Sequence, residues 1–229
     1  MNSNPAQRSA NAITVLLAED HAIVREGLRA LLQAEADIQV IGEAENGREA
    51  VALTSKLRPQ VVIIDISMPL LNGMEATRQI LQAQPSTRVI VLSGHSDDAY
   101  VERIIALGAA GYLIKQSAAH ILSTAIREVK KGNAFFSPSI AIRRKDNAQK
   151  AHIRGEQSGA ALTSREAEVL QLVAEGKANK ETAGMLGISI KTVEKHRQRV
   201  MEKLNIHDTA GLTRYAVAAG IIEITVQVE

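Results

Sequence analysis

The 229-residue chain has no cysteine, which removes disulfides, thiolate nucleophiles, cysteine-ligated zinc and iron–sulfur clusters together. Tryptophan is absent and aromatic residues amount to 2%, too few for the stacking platform that single-stranded nucleic acid needs. No stretch free of Asp, Glu, Lys and Arg exceeds about 11 residues, against the roughly 20 of a spanning helix. The opening Met-Asn-Ser-Asn-Pro-Ala-Gln-Arg lacks the apolar run of a secretory signal. A cytoplasmic protein without a membrane partner is expected. Charge of neither sign dominates. The formal net charge is +2, made of −1 up to Pro138 and +3 after it, so position and not total must identify any nucleic-acid contact.

What is present has an ordinary globular composition, 45% apolar and 23% charged. At roughly 100–200 residues per domain, the length suits one large domain or two ordinary ones. From Ile13 to about Phe136, short apolar runs alternate with longer amphipathic ones. Ile13–Ala18, Ile38–Ala44, Val61–Ile66, Arg88–Ser93 and Gly111–Ile114 read as strands. Several are apolar at successive positions, as strands covered on both faces are. Between them helical spacing appears, as in Ile23, Leu28, Leu31 and Leu32, and again in Ile121, Leu122, Ala125, Ile126 and Val129. Five strands alternating with five helices predict a five-stranded, doubly wound parallel α/β sheet over residues 12–136.

Residues 137–160 are polar and aperiodic, and read as a flexible linker with a basic cluster. From 161 to 229 the pattern is purely helical. Thr163-Ser-Arg-Glu166 forms a capping box ahead of an apolar stripe, and Gly176 ends that helix. A short helix from Asn179 stops at Gly187, Ser189 caps a long basic helix to about Leu204, and Asp208 opens a last one. Two helices joined by a tight glycine-containing turn outline an all-α helix-turn-helix domain.

Ligands of such a sheet gather at the C-terminal ends of its strands. Glu19 and Asp20 follow the first strand, Asp65 ends the third, Ser93 ends the fourth and Lys115 follows the fifth. Taken singly, each is an ordinary turn, cap or surface residue. Taken in order, three carboxylates converge and require a cation between them. All-oxygen ligands suit Mg²⁺, and Lys115 supplies a point charge for a phosphoryl oxygen. The set describes phosphoryl transfer onto a carboxylate, with Asp65 as nucleophile.

Ala-Glu-Asp-His, Ile-Ile-Asp-Ile-Ser-Met-Pro, Asn-Gly-Met, Val-Leu-Ser and Gly-Tyr-Leu-Ile-Lys resemble the receiver domain of bacterial two-component response regulators, with a flavodoxin-like fold. The resemblance implies that Asp65 accepts phosphate from a sensor histidine kinase. It implies that Asp20 and Asp65 bind Mg²⁺ directly, that Glu19 acts through water, and that the Ser67 carbonyl completes the ligands. Ser93 and Tyr112 fall at the switch positions, where the hydroxyl follows the phosphoryl group and the ring turns inward behind it. Glu19 stands where Asp is more usual. Gln116 stands where a proline, usually with a cis bond, often follows the lysine, and this leaves the Lys115–Gln116 conformation open. His21 reads as a cap of the first helix, and His95, two residues past Ser93, lies within reach of the pocket.

On the long basic helix, a step of about 100° per residue puts Val193, Arg197, Val200 and Leu204 on one stripe. Lys191, Lys195, Gln198 and Glu202 lie opposite, flanked by Glu194 and Arg199. Such a face suits the major groove. Leu162-Thr-Ser-Arg-Glu-Ala-Glu-Val-Leu, Gly176-Lys-Ala-Asn-Lys-Glu, Ser189-Ile-Lys-Thr-Val-Glu-Lys-His-Arg and Lys203-Leu resemble the LuxR-type helix-turn-helix. The whole chain is thereby similar to NarL/FixJ-class response regulators. That similarity places phosphate contacts at Asn179, Lys180, Lys191, Thr192 and Arg199, and base readout at Glu194, Lys195 and Gln198. It implies a transcription factor that binds double-stranded DNA as a phosphorylation-dependent homodimer, and it admits RNA polymerase as a further partner. Phosphate is expected either to promote dimers or to release the DNA-binding helix. Thr182 departs from the usual Ile and removes apolar surface from the scaffold helix.

Two rivals remain. An aspartyl-phosphate hydrolase also pairs a nucleophilic Asp with Mg²⁺, but its second acid normally lies two residues on, where this chain has Ser67. A phosphate-independent regulator would not need the Asp20, Asp65, Ser93 and Lys115 set. The chain is therefore read as no enzyme beyond its own phosphorylation and dephosphorylation.

Overall fold

The computed structural model describes residues 12–94, 98–138, 140 and 162–222. The elements run β1 (Ile13–Ala18), α1 (Ala22–Gln33), β2 (Ile38–Ala44), α2 (Gly47–Leu57), β3 (Val61–Asp65), α3 (Gly73–Ala83), β4 (Arg88–Ser93), α4 (Asp98–Ala106), β5 (Gly111–Ile114), α5 (Lys115–Lys130) and β6 (Phe135–Phe136). Four helices follow: α6 (Ser164–Ala174), α7 (Asn179–Leu186), α8 (Ile190–Leu204) and α9 (Thr209–Ala218). The strands pair in parallel in the order β2-β1-β3-β4-β5-β6.

The sheet has six strands where the sequence predicts five. The sixth, Phe135–Phe136, is two residues long and leaves no period to detect. It pairs with Gly111 and Tyr112 of β5. Ser137 and Ile140, which the sequence reading gives to the linker, also pack on this domain. Ser137 accepts the Ile114 N–H at 3.0 Å, and Ile140 is buried in the core. The basic cluster of the linker, together with His152, lies outside the described residues, as does His95.

Burial on both sides explains the unbroken apolar strands. Leu16, Val62, Ile64, Val89, Val91 and Tyr112 turn toward α2, α3 and α4. Val15, Leu17, Val61, Ile63, Ile90 and Leu92 turn toward α1 and α5, where Leu28, Leu32, Leu122 and Ile126 meet them. Ile23 and Leu31, by contrast, are exposed, so the core stripe of α1 is narrower than its apolar spacing suggests.

The helical domain closes around Val169, Leu170, Leu172, Leu186, Val193, Val200 and Leu212. Its caps are the expected ones. Thr163 and Glu166 form the capping box, Ser189 accepts from the Thr192 N–H, and Asp208 accepts from the Gly211 N–H. Gly187, at φ 62°, ends α7 in the left-handed region.

Thr182 is fully buried in this core, and its Oγ1 has no hydrogen-bond partner. A buried hydroxyl without a partner costs about 1–3 kcal/mol. Thr182→Val keeps the shape and removes the hydroxyl. It is expected to raise stability by about 1 kcal/mol, read as a higher urea midpoint at unchanged slope.

Candidate phosphoacceptor site and nucleic-acid interface

In register, Ala18 of β1 lies beside Ala44 and Ile64, Asp65 beside Leu92, and Ser93 beside Ile114. The C-terminal ends of five strands, β1 to β5, thus share one edge of the sheet. Glu19, Asp65, Ser93 and Lys115 arrive there because each ends a strand or follows it directly.

The Lys115 ammonium bridges two buried carboxylates, 2.9 Å from Glu19 Oε2 and 3.0 Å from Asp65 Oδ1. Asp65 Oδ2 is buried and has no partner. Burial, with the neighbouring Glu19 and Asp20 charges, pushes the Asp65 carboxyl up to about 6 despite Lys115. Burial pulls the Lys115 ammonium down, but Asp65 and Glu19 outweigh it and its pKa rises. An orphaned carboxylate oxygen between acids is the place for a hard divalent cation. The donor set fits Mg²⁺. Ser67, two residues past Asp65, is half-buried at the same edge.

Glu19, Asp20 and His21 offer ligand atoms within 4.8 Å of one another. His21 occupies the N-cap position of α1 but makes no side-chain cap. Its Nδ1 lies instead 3.2 Å from Glu19 Oε1 and 3.0 Å from Asp20 Oδ1, because two acids attract the ring more than one helix end does. Lys115 opens α5, and the described residues contain no cis peptide bond, so the Lys115–Gln116 bond is trans. The Tyr112 ring lies wholly inside the domain in this state, and Ser93 is buried at the tip of β4.

Three supporting residues escaped the sequence reading as site residues. Arg25, one turn into α1, donates to the Glu19 carbonyl at 2.7 Å and fixes the acidic turn. Gly73 donates to the Ile66 carbonyl at 2.8 Å, and a Cβ on it would sit 1.9 Å from the Asp65 carbonyl oxygen. No other residue fits beneath the phosphoacceptor candidate. Asn72 caps α3 by accepting the Glu75 N–H at 2.9 Å. The Asn-Gly pair was visible in the sequence, but its reason, a helix pressed against the end of β3, was not.

On the helical domain, Lys180, Lys191, Glu194, Lys195, Gln198 and Arg199 are exposed, while Asn179 and Thr192 are half-buried. Gln198 is held by Glu202 at 2.9 Å. Arg197, on the otherwise apolar stripe, reaches across to Asn179 Oδ1 at 3.3 Å and to Thr209, tying three helices together. His120 and His207 are exposed.

Residues 15–127 match the response regulator receiver domain, and residues 160–216 match the bacterial regulatory proteins of the luxR family. Those two parts define a response regulator with a DNA-binding output domain. The transcriptional regulatory protein LiaR of Bacillus subtilis (strain 168) is 40% identical over 210 residues, which cover 89% of this chain and 96% of LiaR. The two-component response regulator RcsB, solved in complex with DNA, aligns at a TM-score of 0.57 and 30% identity over 91% of this chain and 99% of its own. A structure of two RcsB dimers bound to two parallel DNAs aligns equally well, with the same TM-score of 0.57, identity of 30% and coverage of 91% and 99%. This chain belongs to the LuxR-type response regulators, the transcriptional regulatory proteins of two-component systems.

Because Asp65 titrates near 6 when folded and near 3.8 when free, its ionisation works against folding. That penalty is absent below about pH 4, grows as pH rises to about 6, and is complete at pH 7. In chelator at pH 7, Asp65→Asn is therefore expected to be more stable than the wild type by about 2 kcal/mol, a gap that closes toward pH 4. Added Mg²⁺ should raise the melting temperature of the wild type and leave the variant unchanged. A variant less stable at pH 7 in chelator would contradict the sign.

Proposed function

We propose that phosphoryl transfer to Asp65 from the phosphohistidine of a sensor histidine kinase controls binding of this protein to double-stranded DNA. The carrying observation is the buried Asp65 carboxylate, with Lys115 on one oxygen and no partner on the other. Two oxygens serve two tasks, one for the phosphoryl group and one for a cation. In the transfer, an Asp65 oxygen forms a bond to phosphorus. The bond from phosphorus to the imidazole nitrogen breaks, and its electron pair stays on that nitrogen. Asp20, Asp65 and the Ser67 carbonyl would hold Mg²⁺ directly and Glu19 through water, and a cation bound there would supply positive charge to the incoming phosphoryl oxygens. Lys115 moves from Glu19 to one of those oxygens. Ser93, at the neighbouring strand end, follows the new group, and Tyr112 packs behind it as the second switch residue.

Lys191, Thr192, Arg199, Asn179 and Lys180 hold DNA phosphates, and Glu194, Lys195 and Gln198 read bases. The exposed polar face of α8 supports this assignment, as does the DNA complex of RcsB. The receiver leaves that face uncovered, which favours control through dimers over simple shielding of α8. The RcsB dimers on DNA support the same arrangement. The protein acts in the cytoplasm and turns over no other substrate. In line with this, no described helix is long and apolar enough to cross a membrane, and the position of a hydrolase's second acid is Ser67.

A small phosphodonor with Mg²⁺ should label the wild type at Asp65, located by mass spectrometry after reductive trapping, and should leave Asp65→Asn unlabelled. Wild-type labelling of the variant would refute the assignment. On a randomised-site DNA library, Gln198→Ala is expected to lose preference at one base position, at a cost of about 1–3 kcal/mol. Lys180→Ala should weaken all sequences alike and reduce the salt slope by about one. Identical profiles for the two variants would show the division of roles to be wrong.

A further inference from the structure

The segment joining β3 to α3 starts beside Asp65 and is held at both ends by one residue of the DNA-binding domain. Gln171 of α6 is 1% exposed. Its Nε2 donates to the Met68 carbonyl at 2.9 Å, and its Oε1 accepts from the Asn72 N–H at 2.7 Å and from Asn72 Nδ2 at 3.2 Å. Nε2 also donates to Glu175 at 2.8 Å, so the buried carboxamide is fully satisfied, mostly by the other domain. Between Met68 and Asn72 the chain makes a tight turn, with the Leu71 N–H on the Pro69 carbonyl at 2.8 Å and Leu70 at φ 68°. A leucine adopts that left-handed conformation only when its surroundings impose it. Here the Leu70 side chain packs against the core of the DNA-binding domain.

The other contacts between the domains differ in kind. Arg103 donates to the Ala219 carbonyl at 2.9 Å, and Arg48 and Arg78 reach Met185 and Ser164. Of these arginine contacts, those of Arg103 and Arg48 are exposed. None of the contacts covers the polar face of α8.

We infer that Gln171 is a positioning residue for the phosphoacceptor site. By fixing the turn Met68–Asn72, it orients the Ser67–Met68 peptide whose carbonyl faces the cation. The inference rests on the reading that Asp65 is phosphorylated with a cation held partly by Ser67. The geometry is local. Ile66 is pinned by Gly73 at 2.8 Å and by its own N–H on Leu92 at 3.1 Å, so the Ser67–Met68 peptide lies between that pin and the Met68 carbonyl. Gln171 holds the carbonyl of the following peptide, Met68–Pro69, and so fixes the Met68 end of the Ser67–Met68 unit. The Leu71 carbonyl is in turn held by the Gly47 N–H at 3.1 Å, so the turn cannot compensate by sliding toward α2. By linkage, a domain that improves the cation site is itself held more firmly once the cation is bound.

The test uses the full chain, phosphoramidate as donor, and a Mg²⁺ titration read by intact-protein mass spectrometry. Gln171→Met keeps the size of the side chain and removes its hydrogen bonds. The Mg²⁺ concentration for half-maximal labelling is expected to rise roughly three- to tenfold, while the rate at saturating Mg²⁺ stays within about twofold of wild type. A folded variant with an unchanged midpoint overturns the inference. So does a lower rate at every Mg²⁺ concentration with the midpoint fixed, which marks a merely structural defect. If Gln171→Met fails to fold by circular dichroism, Leu70→Ala decides. It keeps Gln171 and the cost of the left-handed φ but removes the side chain whose packing imposes it, and the midpoint must shift in the same direction. Asp65→Asn separates the two levels: a wild type that takes no more label than this variant refutes the phosphoacceptor reading, whereas labelled wild type with no shift in either variant refutes only the role of Gln171.

Discussion

Carboxylates buried side by side repel one another, and the parallel sheet of this protein brings Glu19 and Asp65 to one edge with Asp20 beside them. The Lys115 ammonium, 2.9 Å from one buried acid and 3.0 Å from the other, is what allows both to be buried at all. It does so incompletely. One Asp65 oxygen has no partner, and the Asp65 carboxyl is pushed up to about 6. The site is therefore held short of positive charge, which is the condition for attracting a divalent cation and, with it, a phosphoryl group. His21 leans on Glu19 and Asp20 from the solvent side.

That edge is built by backbone contacts more than by side chains. Gly73 lets α3 press against the end of β3, and Gly47 brings the start of α2 onto the same loop through the Leu71 carbonyl, where a Cβ would lie 2.1 Å away. Gln171 closes the loop from the other domain. The phosphoacceptor candidate thus sits on a strand end whose next eight residues are fixed from three directions. Such a loop moves as a unit, which is how a small change at one carboxylate can reach a surface more than one residue away.

Most of the receiver was legible because parallel strands buried on both faces leave long apolar runs, and four of the five expected spans coincide with the observed strands. The third ends at Asp65, one residue early, where the chain turns to bond Gly73. Polar residues at strand ends were legible for the same reason, since topology alone places them together. The missed features share a different cause. Phe135–Phe136 is too short to have a period, His21 follows local charge over helix capping, and Gln171 meets partners 99 to 103 residues away. A polar residue in an amphipathic helix carries no sign that its partner is another domain. Thr182 was visible as a departure, but only burial shows that its hydroxyl lacks a partner.

The weak charge asymmetry between the two halves has a structural explanation in the helical domain. Arg165 is spent on Glu168 and the Leu186 carbonyl, Lys203 on Glu166, and Arg197 on Asn179 and Thr209. These cations hold helices together. Of the exposed cations, Lys180, Lys191, Lys195 and Arg199 gather at the start of α7 and along α8, while Arg214 lies apart on α9. Net charge averages the two populations and so hides how the second is placed. The receiver docks on α6 and the end of α7, away from this surface, with Gln171 and Met185 at the contact. In this arrangement the cationic face is left open, and the one buried polar contact described between the receiver and α6 is that of Gln171.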